Sequence, residues 1–353
     1  MPPLVSICMP HLNSRPFTQE RLETILQQTV ADWELIIVDS HSDDGSYEWL
    51  ETRARDDRRI RLVQAPRDGI YANLNRALQL ATGTYVYIAT SDDTMTPDCL
   101  ERLVEALEQN PDCGVAHCCL NIIDEQGQPV GSADAWKNYL AQEYFGEWIH
   151  RDHIRQAPHD GLLHFGLLTI YTSLTQLLVR RSALERIGFF RTDCGSYADF
   201  EWGMRVGLTE NVVHVPRALA TWRRHGQQAT QTDRLLRARA QGQFHWFARK
   251  ALEAVGEREP KLAATLKKSP LNDFYLVDEF NLRMRLSHCG SERRLQLLAF
   301  ALKHPRFALR WAFSKIVRRE SITPAFLDAF RRELSRLGLG QLLRPAAVAA
   351  VAK

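Results

Sequence analysis

Asp92 and Asp93 stand side by side after the apolar run YVYIAT. Adjacent carboxylates repel each other unless a cation neutralises them. A hard divalent ion such as magnesium or manganese, held by few protein carboxylates and completed by phosphate oxygens, is one solution. In isolation the pair reads first as a helix start before Pro97, with Thr94 or Thr96 as cap and the aspartates favouring the helix dipole. Asp39 ends a second apolar run, WELIIVDS. There it either opens an Asx-turn into SHSDDGS or accepts an N–H from a nucleotide base or meets its ribose. Asp199 and Glu201 lie in YADFEWGMRVG. Residues two apart diverge on a helix, so only one of them can face a cleft, and an acidic first turn accounts for both equally well. His225, in TWRRHGQQAT, is either a surface histidine in a basic loop or a metal ligand.

Such side chains need elements to hold them. VSICMP (Val5 to Pro10) predicts a first strand, and Leu22, Ile25 and Leu26 share one face of a helix over Phe17 to Gln28. Trp33 to Ser40 predicts a strand, Ser46 to Asp56 a helix, RIRLVQA a strand and Tyr71 to Ala81 a helix stopped by Gly83. TYVYIATSDD predicts a strand running into its carboxylates, and Pro97 opens a helix over Asp98 to Gln109. Strands alternating with helices of this length imply a parallel sheet covered on both faces. Ligands of such sheets bind beyond the carboxyl ends of the strands, where Asp39, Asp92 and Asp93 lie. Residues 121–170 are less regular. Beyond Asp233 the pattern is all-helical, with breaks near Pro260, Pro270, Gly290, Pro305 and Pro324 and a tail, PAAVAAVAK, expected to fray.

Composition narrows the class. The 353 residues suffice for about two domains, and 45% hydrophobic with 25% charged residues excludes fibrous, collagen-like and wholly disordered chains. The most apolar stretch, Gly161 to Val179, contains His164 and several Thr and Ser, which argues against a membrane span. The opening MPPLVSICMP lacks the basic region of a signal peptide. Seven cysteines without C-x-x-C spacing suggest buried free thiols in a reducing cytoplasm. The net charge of +3 hides an asymmetry: residues 1–233 carry 21 Lys and Arg against 32 Asp and Glu, and residues 234–353 carry 24 against 10. The halves are therefore at −11 and +14, which suggests a carboxylate-bearing part and a part facing something anionic.

Together these pieces resemble the family 2 glycosyltransferases of GT-A fold. VSICMPHLNSRPFTQERLETILQQTVADWELIIVDSHSDDGS is similar to the family's opening, and PRDGIYANLNRALQLATGTYVYIATSDD to its next signature, a GIY-x-x-x-N helix, ATG, a strand and the acidic motif. SYADFEWGMRVG is similar to the segment that supplies the catalytic base, and WRRHGQQAT to the stretch that closes the catalytic domain. The resemblance covers about residues 4–230. It implies an α/β, Rossmann-like nucleotide-diphospho-sugar transferase domain over residues 1–233, followed by a basic helical region over 234–353 for acceptor, membrane or oligomer contacts.

The resemblance also implies roles. Asp39 is similar to the aspartate that pairs with the base, typically uracil, with Pro10 and His11 lining that pocket and Arg67 and Asp68 near the nucleotide. Asp92 and Asp93 match the motif that meets the ribose and a Mg²⁺ or Mn²⁺ on the diphosphate, and His225 a histidine that reaches the metal or diphosphate. Asp199 matches the general base. The implied reaction is inverting transfer of a hexosyl group from a UDP-sugar to a hydroxyl of a glycan or lipid-linked acceptor. It belongs to polysaccharide biosynthesis, in the cytoplasm or on the inner face of the membrane.

Departures from the pattern are Thr90 where many members have Asp, His11 where a small hydroxyl residue is usual, Trp222 for Tyr, and Tyr-Ala-Asp for Glu-Asp at Asp199. The Q-x-x-R-W motif of processive synthases is absent, which favours single additions. By position, Thr175 and Gln176 are candidates for the acceptor side. RFALRWAFSKIVRR (Arg306 to Arg319) reads either as an interfacial helix on an anionic membrane or as a packed helix, and the helical part could also pair with a second copy. A nucleotidyltransferase would need a Gly-rich loop where PHLNSRPF stands. A non-catalytic scaffold would be expected to have lost its carboxylates. A nucleic-acid binder would interleave aromatics with its basic residues, which the C-terminal part does not.

Overall fold

The computed structural model describes residues 2–130, 145–165, 170–226, 241–287, 289–311, 323–339 and 342–348. Strand β1 (Val5–His11) is buried at every position. A strand covered on both faces needs apolar residues throughout, which is why VSICMP shows no alternation. It lies between β2 (Trp33–Asp39) and β4 (Tyr85–Ile88), parallel to both, and β3 (Ile60–Gln64) pairs outside β2. The connecting helices α1 (Arg15–Leu26), α2 (Ser46–Asp56), α3 (Ile70–Leu80) and α4 (Cys99–Gln109) fall where the apolar periodicity predicts them.

Two glycines of the motifs have a steric reason. Gly69 precedes α3 at φ 101°, a conformation that side chains other than glycine rarely adopt. A Cβ on Gly83 would lie 2.6 Å from the backbone nitrogen of Ser6, so β1 and the turn into β4 approach this closely only with glycine there.

The strands expected over the first 120 residues pair in parallel, and the sheet continues as a mixed one. Among the described residues it also holds β5 (Val115–Ile123), β6 (His153–Arg155), β7 (Leu177–Arg180), β8 (Val212–Arg223) and β9 (Leu343–Pro345), and its nine strands run in the order β3-β2-β1-β4-β7-β5-β8-β6-β9. Strand β7 (Leu177–Arg180) is antiparallel to both β4 and β5 (Val115–Ile123). The chain enters β7 from the 3-10 turn Leu174–Gln176. Strand β8 (Val212–Arg223) is parallel to β5, and β6 (His153–Arg155) is antiparallel to β8. Strand β4 also ends at Ile88, earlier than predicted, so Asp92 and Asp93 stand in a loop.

The core of this second half is polar. His117 Nδ1 lies 3.2 Å from His214 Nδ1, and the His153 ring packs 4.7 Å from that of His214. Asp160, on α5 (His159–His164), accepts from Arg155 Nε at 2.8 Å and from the Tyr171 hydroxyl at 3.0 Å. Burial holds His153 down at about 3 and His164 at about 4, Asp160 pulling both upward and Arg155 pushing His153 further down. These rings stay neutral when folded but gain a proton near pH 6.5 when unfolded, so stability is complete above that pH and is lost as pH falls below it. Each ring is expected to lower the unfolding free energy by about 1 kcal/mol between pH 6.5 and 5.5. Urea denaturation of the wild type and of His164→Gln at the two pH values checks this: the wild type should lose about 1 kcal/mol more than the variant, and an equal loss in both would contradict it.

Beyond β8 the chain is helical, as its periodicity predicts. Pro260, Gly290 and Pro305 each begin a helix: Pro260–Leu266, Gly290–Lys303 and Pro305–Trp311. The expected boundary at 233/234 lies outside the described residues. Helix Gln243–Gly256 packs Phe244 and Phe247 on Phe200, at ring separations of 5.0 and 6.4 Å. The C-terminal region is not wholly helical: Leu343–Pro345 forms β9 against β6, and Ala347 exchanges two hydrogen bonds with Asn110. Those bonds hold a segment that composition alone marks as frayed.

Candidate active site

Asp39 ends β2 in register with His11 at the end of β1. Its carboxylate is buried and accepts from Ser42 twice, the amide N–H at 3.0 Å and the hydroxyl at 2.5 Å. Each carboxylate oxygen keeps a further lone pair for a ligand N–H. His11 is buried beside it, and neither ring nitrogen has a partner among the described residues. Burial lowers its pKa against the pull of Asp39 and Asp44, so the ring is a neutral donor and acceptor awaiting a match. Pro10 lies next to it on β1, facing Val38 in register. Arg67 is held over the same loop, donating to the Ser40 carbonyl at 3.0 Å and the His41 carbonyl at 2.6 Å and pairing with Asp43 at 2.9 Å. Asp68 pairs with Arg76 of α3.

The two aspartates of the acidic loop diverge. Asp92 keeps its side chain 23% exposed and binds His225 Nε2 at 2.9 Å. Asp93 turns inward, accepting from the Arg223 amide at 2.8 Å and the Ser173 hydroxyl at 3.1 Å. Burial, then the neighbouring Asp92, raises its pKa to about 7. Arg223 clamps the same loop with its side chain, donating to the Asp92 carbonyl at 2.8 Å and pairing with Glu20 at 2.5 Å. The end of β8 that carries His225 is thereby tied to the loop that carries Asp92. The His225 ring rests 4.6 Å from that of Phe17 on α1, and its Nδ1 is buried without a partner among the described residues.

Asp199 sits in the first turn of helix α7 (Ala198–Thr209), which follows helix α6 (Arg181–Ile187). It accepts the Phe200 amide at 2.8 Å and a hydrogen bond from the Tyr71 hydroxyl. Burial raises its pKa to about 6, poised for proton transfer near neutrality. Glu201 points the other way, fully buried, with both oxygens 2.9 Å from Arg205 nitrogens. Of the two carboxylates, Asp199 is the one that meets Tyr71 of α3.

Helix α3 joins these parts. Asn73 donates to the Ser40 hydroxyl at 2.5 Å and to the Pro66 carbonyl at 3.0 Å, next to Asp39 and Arg67. Asn75 exchanges two hydrogen bonds with the backbone of Phe190, at 2.8 and 2.9 Å, and so fixes the turn that leads to Asp199. Between α3 and that turn lies a cleft lined by Asp68, Gly69, Tyr71, Thr192, Gly195 and Ser196. Tyr71, Asn73, Asn75 and Arg223 were missed as site residues by sequence reasoning, although all four stand inside the quoted motifs; spacing marks a motif without saying which members hold the others.

Thr175 and Gln176 do not face an acceptor. Thr175 is buried against the Tyr87 hydroxyl, 2.7 Å from its carbonyl, and Gln176 donates to the Cys118 carbonyl at 2.7 Å while capping its own turn. Their polar groups are used up where the chain turns back into β7. All seven cysteines are free thiols, six of them buried. No helix among the described residues is long and apolar enough to cross a membrane.

Known proteins are similar to this chain in sequence and in fold. Residues 6–186, just over half of the chain, match the model for glycosyl transferase family 2. The uncharacterized glycosyltransferase EpsJ of Bacillus subtilis is 37% identical over 110 residues, 31% of this chain and 32% of that protein. The putative teichuronic acid biosynthesis glycosyltransferase TuaG of the same organism is 32% identical over 129 residues, 36% of this chain and 51% of that protein. The matched part is thus a third to a half of these relatives' length. The crystal structure of S. aureus TarS 1–349 superposes with a TM-score of 0.58 at 16% identity, covering 96% of this chain and 92% of that one, and a structure of the same TarS fragment holds UDP-GlcNAc. That likeness is one of fold and extends into the helical C-terminal region. With its signature residues gathered at one edge of a GT-A sheet, the chain belongs to glycosyl transferase family 2.

Proposed function

We propose that this transferase moves a hexosyl group from a UDP-sugar to a hydroxyl of a glycan or lipid-linked acceptor, with inversion at the anomeric carbon. One observation carries the reading: β1, β2, the loop after β4 and the start of α7 bring Asp39, Asp92 and Asp199 to one edge of the sheet, α3 links the loops of Asp39 and Asp199, and Arg223 holds the loop of Asp92. Asp39 takes the N–H edge of the base, with His11 and Pro10 around it and Arg67 and Asp68 flanking the nucleotide. Asp199 accepts the proton of the acceptor hydroxyl as that oxygen attacks, and the Tyr71 hydroxyl and Phe200 amide hold the receiving carboxylate in place. The TarS fragment that binds UDP-GlcNAc supports a uridine donor.

The residues fit a divalent cation. Asp92 and His225 offer one carboxylate and one imidazole, and among the described residues no set of three or more ligating side chains accompanies them. Mg²⁺ or Mn²⁺ is commonly held by so few protein groups together with substrate phosphates. Such an ion would stabilise negative charge on the departing diphosphate. Asp93 would then serve by anchoring the loop through Arg223 and Ser173. The seven free thiols support a reducing, cytoplasmic setting.

Calorimetric titration with UDP, dTDP and GDP, with and without Mn²⁺, tests the reading. Mn²⁺-dependent binding of UDP is expected. Losing a buried hydrogen bond to a charged group should weaken it roughly 10- to 100-fold in Asp39→Ala, and Asp92→Ala should remove the metal dependence. A folded sample that binds none of the three nucleotides would overturn it.

A further inference from the structure

Helix Gly290–Lys303 touches the protein with one side only. Phe300 is its one buried residue and packs against Phe280 and Phe307 at 5.5 and 5.3 Å. Counting 100° per residue from Phe300, the opposite face carries Leu295, Leu298 and Leu302. These leucines are 68%, 59% and 74% exposed. Three leucines spaced i, i+3 and i+7 on a solvent-facing side form an apolar stripe with nothing of the described chain over it. The next helix, Pro305–Trp311, adds Leu309, 84% exposed. Its Phe307, in the Arg306–Arg319 segment, is buried, and residues 312–319 of that segment lie outside the described residues.

The charge beside the stripe selects its partner. Residues 283–311 contain seven Lys and Arg and one acidic residue, Glu292. Arg294 and Lys303 stand exposed on the two flanks of the leucine helix and Arg306 just after it, whereas Arg293 lies on the Phe300 side and Arg283 is spent on Glu279. A second copy of this face would bring like charges together, and an acidic protein surface would leave the leucines unmatched. A basic amphipathic helix of this kind suits the boundary of an anionic bilayer, with leucines among the acyl chains and cations among the headgroups. We propose that Gly290–Lys303 docks the enzyme on an anionic membrane surface through Leu295, Leu298 and Leu302. The inference stands on exposure and charge, independently of the donor and acceptor assigned above.

Co-sedimentation of the full chain with phosphatidylcholine vesicles, with and without phosphatidylglycerol, tests it. Binding is expected only to the anionic vesicles and should weaken with salt. Leu298→Asp with Leu302→Asp should lower partitioning at least tenfold, and Arg294→Glu with Lys303→Glu roughly fivefold for each charge removed. UDP binding and the thermal midpoint report that these surface variants still fold. Wild-type protein that stays in the supernatant with anionic vesicles overturns the proposal. So does a dimer, seen by analytical ultracentrifugation, that the leucine variant converts to monomer, because the stripe would then belong to a second copy.

Discussion

Asp199→Asn is expected to lower kcat by roughly 10²- to 10⁴-fold, the span a positioned general base contributes, while the UDP dissociation constant stays within about twofold. Asparagine keeps the shape of the side chain and can still accept from the Phe200 amide and the Tyr71 hydroxyl, so the first turn of α7 is undisturbed. Only basicity is lost. Burial raises the Asp199 carboxyl to about 6, and a base works only when deprotonated. Wild-type kcat/KM should therefore fall as pH drops through about 6, and the residual rate of Asp199→Asn should lack that limb. The variant should be no less stable at pH 7.5, because it removes a charge that burial disfavours. A variant keeping more than about a tenth of the wild-type rate would assign the base elsewhere.

Glu201→Ala, two residues along the same helix, is expected to do the reverse: cost about 3–5 kcal/mol of stability and leave nucleotide affinity nearly unchanged in whatever remains folded. Glu201 is fully buried, and among the described residues its only opposing charge within ion-pair distance is Arg205, bound through two nitrogens at 2.9 Å. Arg205 also donates to the Phe189 carbonyl at 2.8 Å and to that of Ile187, fastening α7 to the turn after helix Arg181–Ile187. Without Glu201 a guanidinium remains in the core with backbone carbonyls alone. The urea midpoint at pH 7.5 reads the loss, and a drop under about 1 kcal/mol would mean that the carbonyls and water satisfy Arg205 by themselves.

These two residues mark where sequence reasoning stops. That one carboxylate of the pair must face inward follows from helical periodicity. Which one does depends on Tyr71 and Arg205, and Tyr71 lies more than a hundred residues earlier. The same holds for Asp92 and Asp93, whose division of labour is made by Arg223, 131 residues on from Asp92 along the chain. In both cases the deciding hydrogen bond joins segments that no local pattern relates.

By itself the sequence determined the strand and helix positions of the first 120 residues, because burial on one or both faces imposes a period that composition must obey. It also determined the chemistry on offer: three acidic positions and a histidine, in an order and spacing that resemble glycosyl transferase family 2. Tertiary structure alone decided the antiparallel return of β7, which turns Thr175 and Gln176 into the core. It decided the pairing of β9, which ties residues 343–345 to β6. It decided that α3, through Tyr71, Asn73 and Asn75, holds the base pocket and the candidate catalytic carboxylate in one frame. Strand direction and side-chain partnership are set by which surfaces meet after collapse, and those meetings are non-local.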